Sequence, residues 1–157
     1  MPLPQITVYT DGSSRGNPGP GGFGTLLISG NRRKEISGGF AKTTNNRMEL
    51  LAAIAGLEVI KTRAAVTLYS DSKYVVDAVN KNWLKGWKKR GWIKSDKQPV
   101  KNIDLWKRID AAAAKHEVTW KWVKGHAGNP NNERCDELAT TAADGSNLPR
   151  DPGFKED

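Results

Sequence analysis

The chain has 157 residues, 37% of them hydrophobic, with a formal charge of +8 and a pI near 9.7. Its length suits one compact domain with a real core. The mean hydropathy of −0.63 is that of a soluble protein, and no apolar run approaches the ~20 residues of a membrane span. A single cysteine, Cys135, excludes an internal disulfide and suits a reducing cytoplasm. The N-terminus shows no basic segment leading into an apolar stretch, as a secretory signal would. Between Lys81 and Lys101 lie seven lysines, Arg90 and one acid, Asp96, so almost the whole positive excess is local and points to a polyanionic partner.

In chain order, the β-branched run Ile6 to Thr10 predicts a strand that Gly12 stops, leaving Asp11 at its end. An Asp-Gly pair is by itself a common turn. The same pattern returns at Val66 to Ser72, where Asp71 follows another strand-like run, and two strand-end carboxylates suggest a shared acidic site. Gly12 to Gly24 reads as a loop dense in turn residues. The G-x-G-x-x-G fingerprint of a dinucleotide site leads directly into a helix, whereas here prolines precede an apparent strand, so the glycines instead suit close approach of backbone to a ligand or a neighbouring strand. Thr25 to Ile28 and Glu35 to Phe40 predict two further strands joined at Gly30-Asn31.

Thr43 to Asn46 supply caps for a helix whose apolar stripes predict burial on several sides. Glu49, read as a first-turn residue, stands out among apolar neighbours and on the face of Ala53 and Gly56, which argues that it points toward the two aspartates. Ser72 caps another helix. Trp83 to Lys94 interleaves tryptophans with cations; Trp83 and Trp87, four apart, are placed to face one way on a short helix, leaving Lys88, Lys89 and Arg90 for phosphates. A core helix from Asn102, an alternating strand over 117–123, a loop carrying His126, and a last helix with Cys135 on its apolar side and Asp136 beside it complete the reading. Cys135 is expected to pack rather than react, and His116 is expected at the surface. One domain over 1–144, with a basic protrusion at about 81–101, is followed by a polar tail, 145–157, expected to be flexible, either disordered or loosely docked.

Asp11, Glu49, Asp71, His126 and Asp136, with a basic tryptophan-bearing protrusion, resemble the bacterial type I ribonuclease H family. The resemblance rests on Thr10-Asp11-Gly12-Ser13, Gly16 to Gly22, Thr43 to Leu50, Ser70-Asp71-Ser72, Trp87 to Trp92, and Trp122 to Gly128 through Asn132 to Ala139, in that order along the chain. It implies an α/β ribonuclease H-like fold, a five-stranded mixed sheet with helices on its faces. It also implies endonucleolytic hydrolysis of the RNA strand of an RNA/DNA hybrid, leaving 5′-phosphate and 3′-hydroxyl ends. Four converging carboxylates repel one another unless cations neutralise them, and two Mg2+ ions, or Mn2+ in their place, match that charge. By the family pattern Asp11 bridges both ions, Glu49, Asp71 and Asp136 complete their shells, and His126 is a proton shuttle or product-release aid. For hybrid recognition the candidates are Asn17, Asn45 and Asn46 at the RNA 2′-hydroxyls and minor groove, Thr44 at a DNA phosphate, and Trp83, Lys88, Lys89 and Arg90 along the DNA strand. Lys73 replaces a more familiar glutamine and is expected either to grip phosphate or to compete with metal for the carboxylates. A monomer is expected. The rivals are a non-catalytic hybrid- or RNA-binding module and a related metal nuclease acting on DNA.

Overall fold

A computed structural model describes residues 2–125 and 127–155. The elements run β1 (Gln5–Ser14), β2 (Gly19–Ser29), β3 (Arg32–Thr43), α1 (Asn45–Val59), β4 (Ala65–Ser70), α2 (Lys73–Asn80), α3 (Trp83–Lys89), α4 (Ile103–Ala113), β5 (Glu117–Trp122) and α5 (Pro130–Ala143). The strands form one mixed sheet in the order β3-β2-β1-β4-β5, with β1 to β3 antiparallel and β4 and β5 parallel to β1. Parallel neighbours need crossovers, and the helices provide them. α1 packs on β1 and β2 and against α4, whereas α5 packs on β1, β2 and β3. Val8, Leu26, Met48, Leu50, Ile54, Leu57, Leu68, Trp106 and Ile109 are fully enclosed, so the core lies chiefly where α1 meets the sheet. Among the described residues no helix is long and apolar enough to cross a membrane.

Four expectations change. First, Gly12 does not end β1: pairing continues from Asp11↔Gly24 to Ser14↔Gly21, and the expected loop shrinks to a turn closed by the Arg15 amide on the Pro20 carbonyl, 2.6 Å. A ladder uses only backbone groups, and here missing side chains admit the helices. A Cβ on Gly24 would lie 2.7 Å from the Leu138 Cβ of α5, closer than packed carbons approach.

Second, His116 is buried. Its Nδ1 accepts the Ala64 amide at 3.1 Å, tying the start of β5 to the residue before β4. Third, the segment after α5 is docked as far as Asp151, which is 3% exposed, because its carboxylate meets a buried arginine, Arg47. The Ala41 amide also donates to the Pro149 carbonyl at 2.9 Å. Glu49, for its part, is the fifth residue of α1 and so sits in the second turn, after the Thr44 cap whose Oγ1 accepts the Arg47 amide at 3.3 Å.

Candidate active site and nucleic-acid face

The β1–β4 pairing ends at Thr10↔Ser70, so Asp11 and Asp71 follow at equivalent points of two adjacent parallel strands. Repetition of the strand-then-aspartate pattern in the sequence thus becomes a spatial pair. α1 brings the third acid. A Cβ at Gly12 would overlap the backbone of Met48 and Glu49, so glycine there is what lets the helix descend onto the strand. Carboxylate oxygens of Asp11, Glu49 and Asp71 all lie within 4.8 Å of one another, and Asp11 and Glu49 are each 4% exposed.

Electrostatics in this cluster are severe. Burial is the largest force on Asp11, followed by the charges of Asp71 and Asp136, and together they push its pKa from 3.8 to about 8 despite the Gly12 amide donating to Oδ1 at 2.9 Å. Burial, and then Asp11 and Asp71, likewise hold Glu49 well above the usual carboxylate range. Asp136, carried by α5 across the sheet, stands outside the three-acid group but is close enough for its charge to act on Asp11. Its helix begins at Pro130 under an Asn129 cap that accepts the Asn131 and Asn132 amides at 3.0 and 3.1 Å.

The residues fit a cation. Glu49 Oε1 and Asp71 Oδ1 are buried without a hydrogen-bond partner, a costly condition for carboxylate oxygens that a hard divalent ion would relieve. An all-oxygen donor set is the type taken by Mg2+, Ca2+ or Mn2+.

Asp71 is steadied by groups the sequence reading did not assign to the site. The Trp122 indole N–H donates to the Asp71 backbone carbonyl at 3.0 Å, and a Cβ on Gly125 would lie 2.7 Å from Asp71 Oδ2. Trp122 is 44% exposed, and its ring lies under the Lys73 ammonium, 4.8 Å from the centroid. Alternation in Glu117 to Trp122 marks Trp122 as a strand residue, but nothing local to it indicates Asp71 as a partner.

Among the candidate contacts, Asn17, Asn45 and Asn46 are exposed, and Asn17 Oδ1 accepts the Asn45 amide at 2.9 Å. In the protrusion the two tryptophans divide. Trp83 is 43% exposed, while Trp87 turns inward onto Trp106, ring centroids 5.4 Å apart. The expectation that they share one outward face is corrected: with Leu84 buried between them, α3 needs an inward anchor. Lys88, Lys89 and Arg90 are all exposed, and Lys88 reaches back to Asp110 at 2.9 Å. Asn82, Trp83, Gly86, Trp87, Arg90 and Lys94 line a groove of about 370 Å³. His126 lies outside the described residues.

A family model described as RNase H matches residues 4–144. The chain belongs to the ribonuclease H family. It is 57% identical over 153 residues to Ribonuclease H of Aeromonas salmonicida, covering 98% of this chain and 99% of that one. It is 58% identical over 136 residues to Ribonuclease HI of Caulobacter vibrioides, covering 87% and 91%. Among solved structures it is similar to LC9-RNase H1, described as a type 1 RNase H with the type 2 active-site motif, with a TM-score of 0.82 and 36% identity over 91% of this chain and 74% of that one. LC11-RNase H1, solved in complex with an RNA/DNA hybrid, shares the fold at a TM-score of 0.64 and 24% identity over 88% and 96%. As a ribonuclease H, the chain is a nuclease of the bacterial type I group, a metal-dependent hydrolase of phosphodiester bonds.

Proposed function

We propose that this enzyme hydrolyses the RNA strand of RNA/DNA hybrids endonucleolytically, with two Mg2+ ions held by Asp11, Glu49, Asp71 and Asp136, leaving 5′-phosphate and 3′-hydroxyl ends. The observation that carries it is the convergence of three acids within 4.8 Å with two buried carboxylate oxygens unpartnered. Family membership supports it, as does the hybrid bound by the similar LC11-RNase H1. When bound, the ions offset the carboxylate charge, lower the pKa of the attacking water and stabilise the leaving 3′ oxygen.

The protein's own share is positioning. Asp11, buried and acted on by the other acids, would hold metal together with Glu49 and Asp71, which supply the unpartnered oxygens. Asp136 completes the set from α5. His126 is cast as the proton shuttle on its glycine-flanked loop. Asn17, Asn45 and Asn46 read the RNA strand through 2′-hydroxyls and minor-groove edges, Thr44 and Lys73 hold phosphate, and exposed Trp83 with Lys88, Lys89 and Arg90 follows the DNA strand. Lys88 exchanges its Asp110 partner for phosphate in this reading. The enzyme is proposed to work as a monomer in the cytoplasm.

The test offers RNA/DNA hybrid, duplex DNA, duplex RNA and single-stranded RNA, each with Mg2+ and with chelator, and maps the product ends. Hybrid cleavage that requires the metal is expected. Cleavage of duplex DNA, or of hybrid under chelation, overturns the proposal.

A further inference from the structure

The family match stops at residue 144, yet a buried carboxylate that accepts four hydrogen bonds, Asp151, lies beyond it. Asp151 receives Arg47 Nε on Oδ2 at 2.7 Å and Arg47 Nη2 on Oδ1 at 3.1 Å. The Thr43 hydroxyl donates to the same Oδ2 at 2.6 Å, and the Gly153 amide to Oδ1 at 3.3 Å. Thr43 is fully buried, and Arg47 and Asp151 are each 3% exposed, so water does not screen the pairing. Arg47 spends its remaining donors on Asp104 of α4, at 2.7 and 2.9 Å, and on Asn102 Oδ1 at 3.3 Å.

The two residues that Asp151 grips bracket the chain between β3 and α1. Thr43 is the last residue of β3 and Arg47 the third of α1. Between them stand Thr44, which caps α1 and accepts the Arg47 amide, and the exposed Asn45 and Asn46. Asp151 holds the residues on either side of this triplet, and the Asn17 side chain takes the Asn45 amide within it. A bidentate arginine–carboxylate pair fixes orientation as well as distance, which is what a contact surface for a regular duplex requires.

We infer that Asp151 is a positioning residue for hybrid recognition: by clamping Thr43 and Arg47 it sets the geometry of the Thr44-Asn45-Asn46 triplet, so the segment after α5 takes part in substrate binding without touching substrate. The inference rests on the proposed contact of that triplet with hybrid.

The experiment compares steady-state cleavage of one hybrid by the full-length wild-type chain and by Asp151→Asn, Asp151→Glu, Thr43→Val and Asn46→Ala, well below each variant's melting temperature. Ile109→Val, a core change on α4, reports what loss of stability alone does. Thr43→Val removes one hydrogen bond while keeping side-chain shape, so it remains informative if Asp151→Asn does not fold. We expect Asp151→Asn and Thr43→Val to raise KM roughly three- to tenfold, the scale of a lost hydrogen bond, with kcat held within about twofold. Asp151→Glu is expected to recover part of the loss, and Ile109→Val to leave KM unchanged. If Asn46→Ala raises KM while both Asp151→Asn and Thr43→Val leave it at the wild-type value, or if Ile109→Val raises KM equally, the inference is overturned and the contact reading stands. An unchanged KM in Asn46→Ala removes the contact reading and the inference with it.

Discussion

Gly12 of β1 lies directly beneath the Glu49 backbone of α1, so close that a methyl group on Gly12 would overlap the Glu49 nitrogen and the Met48 carbonyl carbon. The depth to which α1 sinks onto the sheet, and with it the reach of the Glu49 carboxylate, is therefore set by a hydrogen atom. Gly12→Ala is expected to lift α1, cost about 1–3 kcal/mol in stability as overpacked sites do, and weaken Mg2+ binding. Thermal melts and Mg2+ titration by calorimetry check both. Unchanged Mg2+ affinity would show that the helix position does not govern the site.

Asp11 is expected to matter far more to turnover than to binding. Asp11→Asn keeps the shape and removes a charge that would hold metal, so kcat should fall by roughly a thousandfold or more while hybrid Kd stays within a few-fold. Single-turnover cleavage alongside binding at equal salt separates the two. A near-wild-type rate would remove Asp11 from its assigned role.

The acids also make a prediction about pH. Burial first, then Asp71 and Asp136, raise Asp11 from 3.8 to about 8, so the folded metal-free protein holds a proton there that the unfolded chain has released. Stability from this group is complete below pH 3.8 and is lost as pH rises toward about 8. Glu49, raised by burial and by Asp11 and Asp71, acts in the same direction. Asp104, held low by Arg47 against its burial, has the opposite dependence and loses its contribution only in acid. Metal-free melting temperatures are expected to fall between about pH 5 and 8.5, the fall to shrink in Asp11→Asn, and Mg2+ to restore stability chiefly at the higher pH, by about 2.7 kcal/mol at a hundred times its Kd. A flat pH profile in chelator would contradict the strained cluster.

Lys73 opens α2 at the end of the helix where the dipole disfavours a cation, and its ammonium lies over Trp122 at 4.8 Å. Replacing it removes one positive charge beside Asp71. Lys73→Gln is expected to raise KM more than it lowers kcat, and to flatten the slope of log KM against log salt by about 0.7–0.9, one phosphate contact's worth. A salt series with both proteins decides it, and identical slopes would deny Lys73 a phosphate.

Local patterns were enough to identify most elements. Alternation located β5, paired apolar stripes located α1, and Gly30-Asn31 located the turn from Ser29 to Arg32. Asp11 and Asp71 were legible because the same strand-then-aspartate pattern occurs twice, and Glu49 because a lone acid among apolar helix residues contradicts its surroundings. The ordered motifs are by themselves specific to the ribonuclease H family. Other features had no local signal. Asp151 looks like one more polar residue of a Pro- and Gly-bearing tail until Arg47, 104 positions earlier, is beside it. Gly12 reads as a strand stop because its real function is to leave room for a helix that begins 33 residues later. Trp87 and Trp83 have the same spacing as any outward pair, and only the presence of Trp106 turns one of them inward.

The difference is physical. Chain-local forces, periodic burial, turn preference and capping, act over a few residues and leave their record in the sequence as spacing. The acidic site, the Asp151 clamp and the Trp122 bond to Asp71 depend on which strands lie side by side and how deeply helices settle on them. The acids available to this protein are therefore written in its residue order, whereas it is the sheet register and the close seating of α1 that bring Asp11, Glu49 and Asp71 within 4.8 Å of one another.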